Sequence, residues 1–445
     1  MTGNVLIFML ILFPIICGVL SFVIGRFGRS ARDIFVIIVT FLELAGFVAL
    51  FAKMNMEGAA LTGAARGYSF VLEGFCGLGL SLKLDGFRII YCLIACFMWA
   101  MTALLSRQYF AHYNNENRYY LFFLMTLGAT LGVLASGDLY TTFIFFEMMS
   151  FTSYTWVTQD EKPEAIRAAE TYLAIAVIGG LVMLMGIFML YHELGTVEID
   201  SLYAAASALE DKRMLYIIGA CMLFGFGAKA GAFPLHIWLP KAHPVAPAPA
   251  SALLSGVLTK SGVYGVLVIT CHILRYDPTW ASLILTIGVL TMVGGAVLAL
   301  FSIDLKRTLA CSSVSQIGFI LVGTGMIGLL GEENMLAVHG AFLHMVNHSL
   351  FKLLLFMCAG VVFMNLHKLD LNEIQGFGRK KYCYAGSNIH ISLILIKLFL
   401  LLFVIILSNK ETDIKLSHIC NCHTTTNKEY PFNNGHSFCI VPACL

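Results

Sequence analysis

Long apolar runs constrain this chain more than any other feature. We read eleven runs of about 20 mostly apolar residues in the first 365 positions, each long enough to cross a hydrocarbon core as a helix. They are Val5–Gly25, Ile34–Ala52, Ile89–Leu105, Tyr119–Ser136, Leu139–Thr158, Ala168–Tyr191, Met214–Phe233, Ala250–Ile273, Ala281–Ile303, Leu309–Leu330 and Met335–Met364. A twelfth, Ile389–Ser408, sits in the tail. Only 12% of the residues are charged, about half the share that covers a water-soluble domain. The low charge and high apolar content exclude disorder, and a net charge of +2 leaves no basic field for nucleic acid. The thirteen cysteines form no CxxC motif, and most fall inside apolar runs, where a thiol acts as a small hydrophobe. The fold class that follows is all-α, a polytopic transmembrane helix bundle. No basic residue precedes the first run and no small-residue cleavage site follows it, so it reads as a span and not a signal peptide.

Basic residues set the expected orientation. Arg26, Arg29 and Arg32 follow span one; Arg107 and Arg118 follow span three; Lys162 and Arg167 follow span five. Lys306 and Arg307 follow span nine, and Lys368, Arg379 and Lys380 follow span eleven. The even-numbered exits are longer or acidic. The N-terminus is therefore expected outside the plasma membrane, and the loop after span eleven in the cytoplasm.

Several ionisable groups fall where they are costly. Glu43, Glu147, Lys229, Lys260, His344, His348 and Lys352 lie near the middles of spans. A charge at a helix centre costs roughly 2.5–3.5 kcal/mol even on lenient insertion scales. One such group reads equally well as glue between helices; a set on successive helices favours an ion pathway. Glu43 shows no partner and is read as glue. Glu147 sits mid-span, as a packing hydrogen bond or, preferably, as the partner of a buried lysine. Lys229 stands among small residues in Gly225-Phe226-Gly227-Ala228-Lys229-Ala230-Gly231, which admit a neighbouring backbone or water. No strand precedes this stretch and no helix start follows it, so a nucleotide loop is rejected. Desolvation makes a buried ammonium ready to give up its proton, which a guanidinium does not do.

Five of the ten prolines fall between Pro234 and Pro249. Proline breaks the helical ladder, and broken backbone at membrane depth survives only inside protein or beside a cavity. An ordinary loop anchored at the interface by Trp238 is the blander reading. His236 and His243 remain open between structural and proton-carrying roles. Lys260 lies ten residues into span eight, with Thr259 and Ser261 adding polarity. His344, His348 and Lys352 recur at four-residue steps, which stacks them about 6 Å apart on one helix face; His339 lies slightly off that stripe. Two histidines at this spacing also suit zinc, but no carboxylate follows the first and Lys352 would repel a cation. A proton relay is preferred.

The run Gly231-Ala232-Phe233-Pro234-Leu235-His236-Ile237-Trp238-Leu239-Pro240-Lys241-Ala242-His243, continuing through Ala246-Pro247-Ala248-Pro249-Ala250-Ser251, resembles the signature of the antiporter-like, proton-conducting membrane subunits. These occur in respiratory complex I, in group 4 hydrogenases and formate hydrogenlyase, and in multisubunit Na+/H+ antiporters. The resemblance covers about residues 1–378, and the stretch from His243 to Pro249 is most similar to the hydrogenase-4 component B type. It implies about fourteen helices with two inverted five-helix repeats and broken helices. Residues 1–118 would hold helices one to three, 119–273 the first repeat and 274–378 an incomplete second repeat. It also implies a proton pathway through Glu147, Lys229, Lys260, His344, His348 and Lys352, with His236, His243 and His339 as accessories. Glu147 would pair with Lys229, and opening of that pair would release a proton toward Lys260 and span eleven. Redox chemistry in a peripheral arm, together with other membrane subunits, would drive transport of H+, or of Na+ in the antiporter reading. No motif for NADH, flavin or an iron–sulfur cluster is present, so no cofactor, resident metal or catalytic residue is expected in this chain.

Beyond Gly378 the pattern departs from the family. Glycine falls from 38 in residues 1–379 to two in 380–445, while cysteine grows denser, with eight in the first 379 residues and five in the remaining 66. The expected Pro-Pro helix with a buried lysine or glutamate is missing. Residues 379–445 read as an out-of-frame translation or a divergent tail, and the chain as a truncated form that has either kept or lost transport. His418, Cys420, Cys422 and His423 could hold a metal, although chance is the better account.

Overall fold

The computed structural model describes residues 3–60, 67–74, 79–111, 113, 115–331 and 335–375. The tail from 379 to 445, with its twelfth apolar run and its Cys/His group, lies outside the described residues.

The helices are α1 (Gly3–Phe27), α2 (Arg29–Ala60), α3 (Gly86–Tyr109), α4 (Glu116–Leu134), α5 (Leu139–Val157), α6 (Pro163–Leu194) and the short α7 (Leu202–Ser207). There follow α8 (Arg213–Ala230), α9 (Trp238–Val245), α10 (Ala248–Leu253), α11 (Thr259–Val268), α12 (Pro278–Leu300), α13 (Leu305–Leu330) and α14 (Met335–Leu366). An antiparallel hairpin of β1 (Tyr68–Leu72) and β2 (Leu80–Leu84) joins α2 to α3. Among the described residues, nine segments are long and apolar enough to cross a membrane. With the 19-residue helices α4 and α5 they account for all eleven predicted runs.

Burial sorts these spans into layers. The most apolar window of Ala248–Ile273 is wholly buried and that of Gly86–Tyr109 is 89% buried, whereas that of Pro278–Leu300 is only 22% buried. The span that carries Lys260 therefore sits at the centre, and α12 lies at the outside of the bundle. Small residues allow close packing where water drives nothing together. Gly288 and Gly295 on α12 lie against the backbone of α13 at Val322 and Ser315, and Gly318 on α13 lies against Met292. Gly179 and Gly225 bring α6 and α8 together in the same way.

The two breaks in the proline-rich stretch are local and satisfied. Gly231 takes a left-handed conformation (φ 76°) and its N–H returns to Ala228 and Gly227, which ends α8. A 3-10 turn at Leu235–Ile237 leads into α9, and extended backbone at Ala246 and Pro247 separates α9 from α10. Trp238 is buried at 1% exposure, and its indole donates to the Ala228 carbonyl at 2.8 Å. It therefore adds a second hydrogen bond to a carbonyl that already accepts from the Gly231 N–H inside the bundle, and is not an interfacial anchor. Two π-helical turns, Leu254–Leu258 and Ile269–Ile273, widen the helix on either side of α11.

Odd-numbered and even-numbered exits meet on opposite faces. On the odd face, Arg32 at the start of α2 donates to Glu116 (2.5 Å) and Asn117 (2.5 Å) of α4 and to Asp33 (2.7 Å), with its guanidinium 4.6 Å from the Tyr120 ring. Arg118 pairs with Glu161, and the Leu305 N–H donates to Leu369. In the turn after α5, burial holds the Asp160 carboxyl above the usual carboxylate range, against the pull of Lys162 and Lys306. On the even face, the hairpin is stitched to the α4–α5 turn by Lys83 N–H to Ala135 (2.7 Å) and Gly137 N–H to Ser81 (2.8 Å). Tyr216 donates to Asp277 there at 2.6 Å. Arg32, with a side chain 2% exposed, is shared by two carboxylates. Arg32→Ala should cost about 3 kcal/mol, because buried negative charge loses its partner; an unchanged denaturation midpoint in detergent would contradict that role.

Candidate functional site

Among the described residues, Lys229, Lys260 and Lys352 bury their amines within the spans, and none of the three is held by a carboxylate at hydrogen-bond distance. Lys229, in the last turn of α8, is 4% exposed. Its Nζ donates to Ser150 Oγ at 3.0 Å and to the Tyr172 hydroxyl at 2.6 Å. The rings of Tyr172 (4.9 Å) and Phe146 (5.8 Å) lie within cation–π range. Tyr172 in turn shares a 2.7 Å hydrogen bond with Ser153 Oγ, one turn farther along α5. Glu147 stands on the same α5 face as Ser150, and Lys229 and Glu147 are electrostatic neighbours. The direct ion pair expected between them is not formed: hydroxyls occupy the ammonium, Glu147 Oε1 has no hydrogen-bond partner, and its carboxylate rests against Gly180 of α6.

Lys260 is fully buried. Its Nζ reaches back over the first π turn to the Ser255 carbonyl at 2.6 Å, and Ser255 Oγ shares a 2.7 Å bond with Ser313 of α13. Thr259 and Ser261 do not serve the amine; their hydroxyls bond to the helix's own carbonyls at Ser255 and Leu258. Lys229 and Lys260 stand on helices in backbone contact, α11 meeting α8 at Gly262 and Ala230. Lys352 on α14 is 3% exposed and donates to the Leu309 carbonyl (2.9 Å) and Ser312 Oγ (2.5 Å), both on α13.

The histidines sit between and around these amines. The rings of His344 and His348 lie 6.4 Å apart and within 8° of parallel, as the four-residue spacing requires. His348 is buried and feels the charges of both Lys260 and Lys352. His243 is fully buried on the Phe356 ring (4.9 Å), within electrostatic range of Lys260, Lys306 and Lys352. His236 is half-buried against Phe233 at 5.9 Å, away from that group, and His339 is half-buried on α14. Both ring nitrogens of His243 and His348, and Nε2 of His344, lack a hydrogen-bond partner. Such groups cost about 1–3 kcal/mol each when left unmet, so the line of amines and imidazoles favours water threading between them. Glu43 is wholly buried with both oxygens unpartnered, so it does not act as hydrogen-bonding glue.

Sequence reasoning missed the oxygens that hold the amines. Ser150 was findable, three residues after Glu147 and thus on its face; the Ser255 carbonyl was not, since nothing in the local sequence marks a π turn. Lys306, read only as an orientation signal, is 3% exposed and donates to the Ala246 carbonyl at 2.7 Å, across the gap between α9 and α10.

The bundle of spans, the proline-broken helix and the buried amines define an antiporter-like membrane protein with several spans. Residues 136–385 match the family described as NADH:quinone oxidoreductase/Mrp antiporter, TM. The chain belongs to that family. It is 32% identical over 311 residues to hydrogenase-4 component B of Escherichia coli (strain K12), covering 68% of this chain and 46% of that protein. It is 29% identical over 299 residues to a Na(+)/H(+) antiporter subunit of Alkalihalophilus pseudofirmus, covering 67% of this chain and 59% of that protein. Among solved structures, a chain of the archaeal membrane-bound sulfane sulfur reductase superposes with a TM-score of 0.69 at 28% identity, over 81% of this chain and 57% of that one. The chain thus spans about half the length of the curated relatives it matches.

A methyl group added at Gly180 would meet the Glu147 carboxylate. Helix α6 gains about 1 kcal/mol from Gly180→Ala, and the flexible carboxylate can swing aside. The denaturation midpoint in detergent should therefore rise slightly in Gly180→Ala; a lowered midpoint would show that the Glu147 carboxylate cannot yield.

Proposed function

We propose that this chain is a proton-translocating membrane subunit of a redox-driven ion-pumping complex, of the NADH dehydrogenase or membrane-bound hydrogenase type. The observation that carries the reading is the set Lys229, Lys260 and Lys352: three buried amines on the inner helices α8, α11 and α14, each held by neutral oxygens. An ammonium fixed to a carboxylate has little reason to part with its proton. One held by a hydroxyl or carbonyl loses much less when it becomes an amine, because the neutral form keeps hydrogen bonds. Glu147, one helical turn from the Ser150 partner of Lys229, is the group whose approach would stabilise the charged amine and whose withdrawal would release its proton.

His348 lies in the electrostatic field of both Lys260 and Lys352, which suits it to pass protons between them, and His344 extends the line toward the outer end of α14. His243 faces the same amines from the broken helix; His236 and His339 are accessories at the margin. In this reading, residues 119–273 form the first repeat, residues 274–378 part of a second, and 1–118 a supporting layer. The basic odd face lies in the cytoplasm beside a peripheral redox arm, and further membrane subunits flank the bundle in the plasma membrane.

Proteoliposomes bearing the protein in its complex test the proposal. Lys229→Ala should lower driven proton flux on the order of 10²-fold, the usual contribution of a positioned proton-transfer group. Equal flux in variant and wild type would rule out the pathway. Flux that requires Na+ on the opposite side would favour a subunit of a Na+/H+ antiporter, and no flux in either protein an inactive fragment.

A further inference from the structure

The even face carries a polar cluster that the amine line does not use. Asp85 accepts from the Arg88 N–H at 3.0 Å, capping α3, and its other oxygen pairs with the Arg88 guanidinium. Arg88 Nε donates to the Tyr264 hydroxyl at 3.2 Å. Tyr264 stands one turn beyond Lys260 on α11, so the two share a helix face. These groups, with Asp200 and His272, line a cavity of about 30 Å3, room for a water or two. Lys83 pairs with Asp200 beside it, and both side chains are about one-third exposed, at 34% and 33%. The cavity therefore borders the aqueous side.

Stacked aromatic rings adjoin this cavity on the side of α14. Phe87 lines the cavity and lies 6.2 Å from Tyr264 and 6.2 Å from Tyr91, nearly parallel to both, and 5.2 Å from Phe342 of α14. Behind it, Tyr91 shares a 2.9 Å hydrogen bond with Ser349, the neighbour of His348. A row of rings thus runs from the polar vestibule to the neighbour of His348 on the inner line, and apolar constrictions of this kind close by excluding water.

We propose that this row is a gate through which the amine line exchanges protons with the even face, with the Phe87 ring as its plug and Tyr264 and Asp85 as the groups that handle a proton beyond it. The proposal rests on the proton-pathway reading above. Arg88 keeps its own protons and occupies a lone pair of the Tyr264 oxygen, which leaves the tyrosine O–H free to donate elsewhere. When water wets the gap, an N–H bond of the Lys260 ammonium breaks and its proton passes through that water to the Tyr264 oxygen. Tyr264 gives up its own proton to cavity water, from which the Asp85 carboxylate can take it. Lys260 is left as the neutral amine, the hydroxyl is restored, and charge is conserved.

Passive proton leak, followed with a pH dye in proteoliposomes bearing the full chain, tests the gate. Phe87→Ala should raise the leak at least about fivefold, and adding Lys260→Ala should return it to the wild-type level. A wild-type leak from folded Phe87→Ala protein overturns the proposal, as does a leak that persists in the double variant, which would mark a nonspecific hole. Tyr264→Phe keeps the ring packing and removes only the hydroxyl, so it serves if the alanine variant does not fold. Its driven flux should fall several-fold, and wild-type flux would overturn the proposal. If Lys229→Ala lowers flux while the Phe87 and Tyr264 variants behave as wild type, the gate alone is wrong; if all are silent, the pathway falls with it.

Discussion

Burying lysine amines among apolar helices without a directly bonded carboxylate governs the rest of this structure. Each of the three inner amines needs oxygens, and the bundle supplies them from neutral groups: Ser150 and Tyr172 for Lys229, the Ser255 carbonyl for Lys260, Leu309 and Ser312 for Lys352. A carboxylate would hold the charge more firmly and make it permanent. Hydroxyls and carbonyls hold it loosely enough that the neutral amine is also tolerable, and a group that can exist in both states can carry a proton.

The irregular backbone follows from the same need. Helix breaks inside a membrane expose carbonyls that must be met. At the first break the Gly231 N–H and the Trp238 indole both meet Ala228, and at the second Lys306 meets Ala246. The π turn before α11 lies where Lys260 folds back on Ser255. Departures from the regular helix thus lie beside Lys229, Lys260 and Lys306, whereas Lys352 stands on the continuous helix α14, and the outer spans α6 and α12 also run as single continuous helices.

Much of this was legible in the sequence because membrane burial leaves a strong signature. Runs of about 20 apolar residues fix the spans, and the ionisable residues that interrupt them mark the interior. The stripe of His344, His348 and Lys352 follows from helical period alone. What could not be read was who bonds to whom. Glu147 and Lys229 are electrostatic neighbours without a direct pair, because Ser150 and Tyr172 hold the amine. Trp238 reads as an interfacial anchor only while its neighbours are unknown. Lys306 looks like every other basic residue at a span exit until the fold closes the broken helix over it. The partners in each case are far apart in the chain, and local pattern carries no record of them.

The central claim is that water threads between Glu147, Lys229, Lys260, His348 and Lys352. A high-resolution density map of the protein in a lipid bilayer tests it most directly. Ordered water bonded to the open nitrogens of His348 and lying between successive amines is the predicted result. Continuous apolar packing with no solvent density between Lys229 and Lys352 would contradict it.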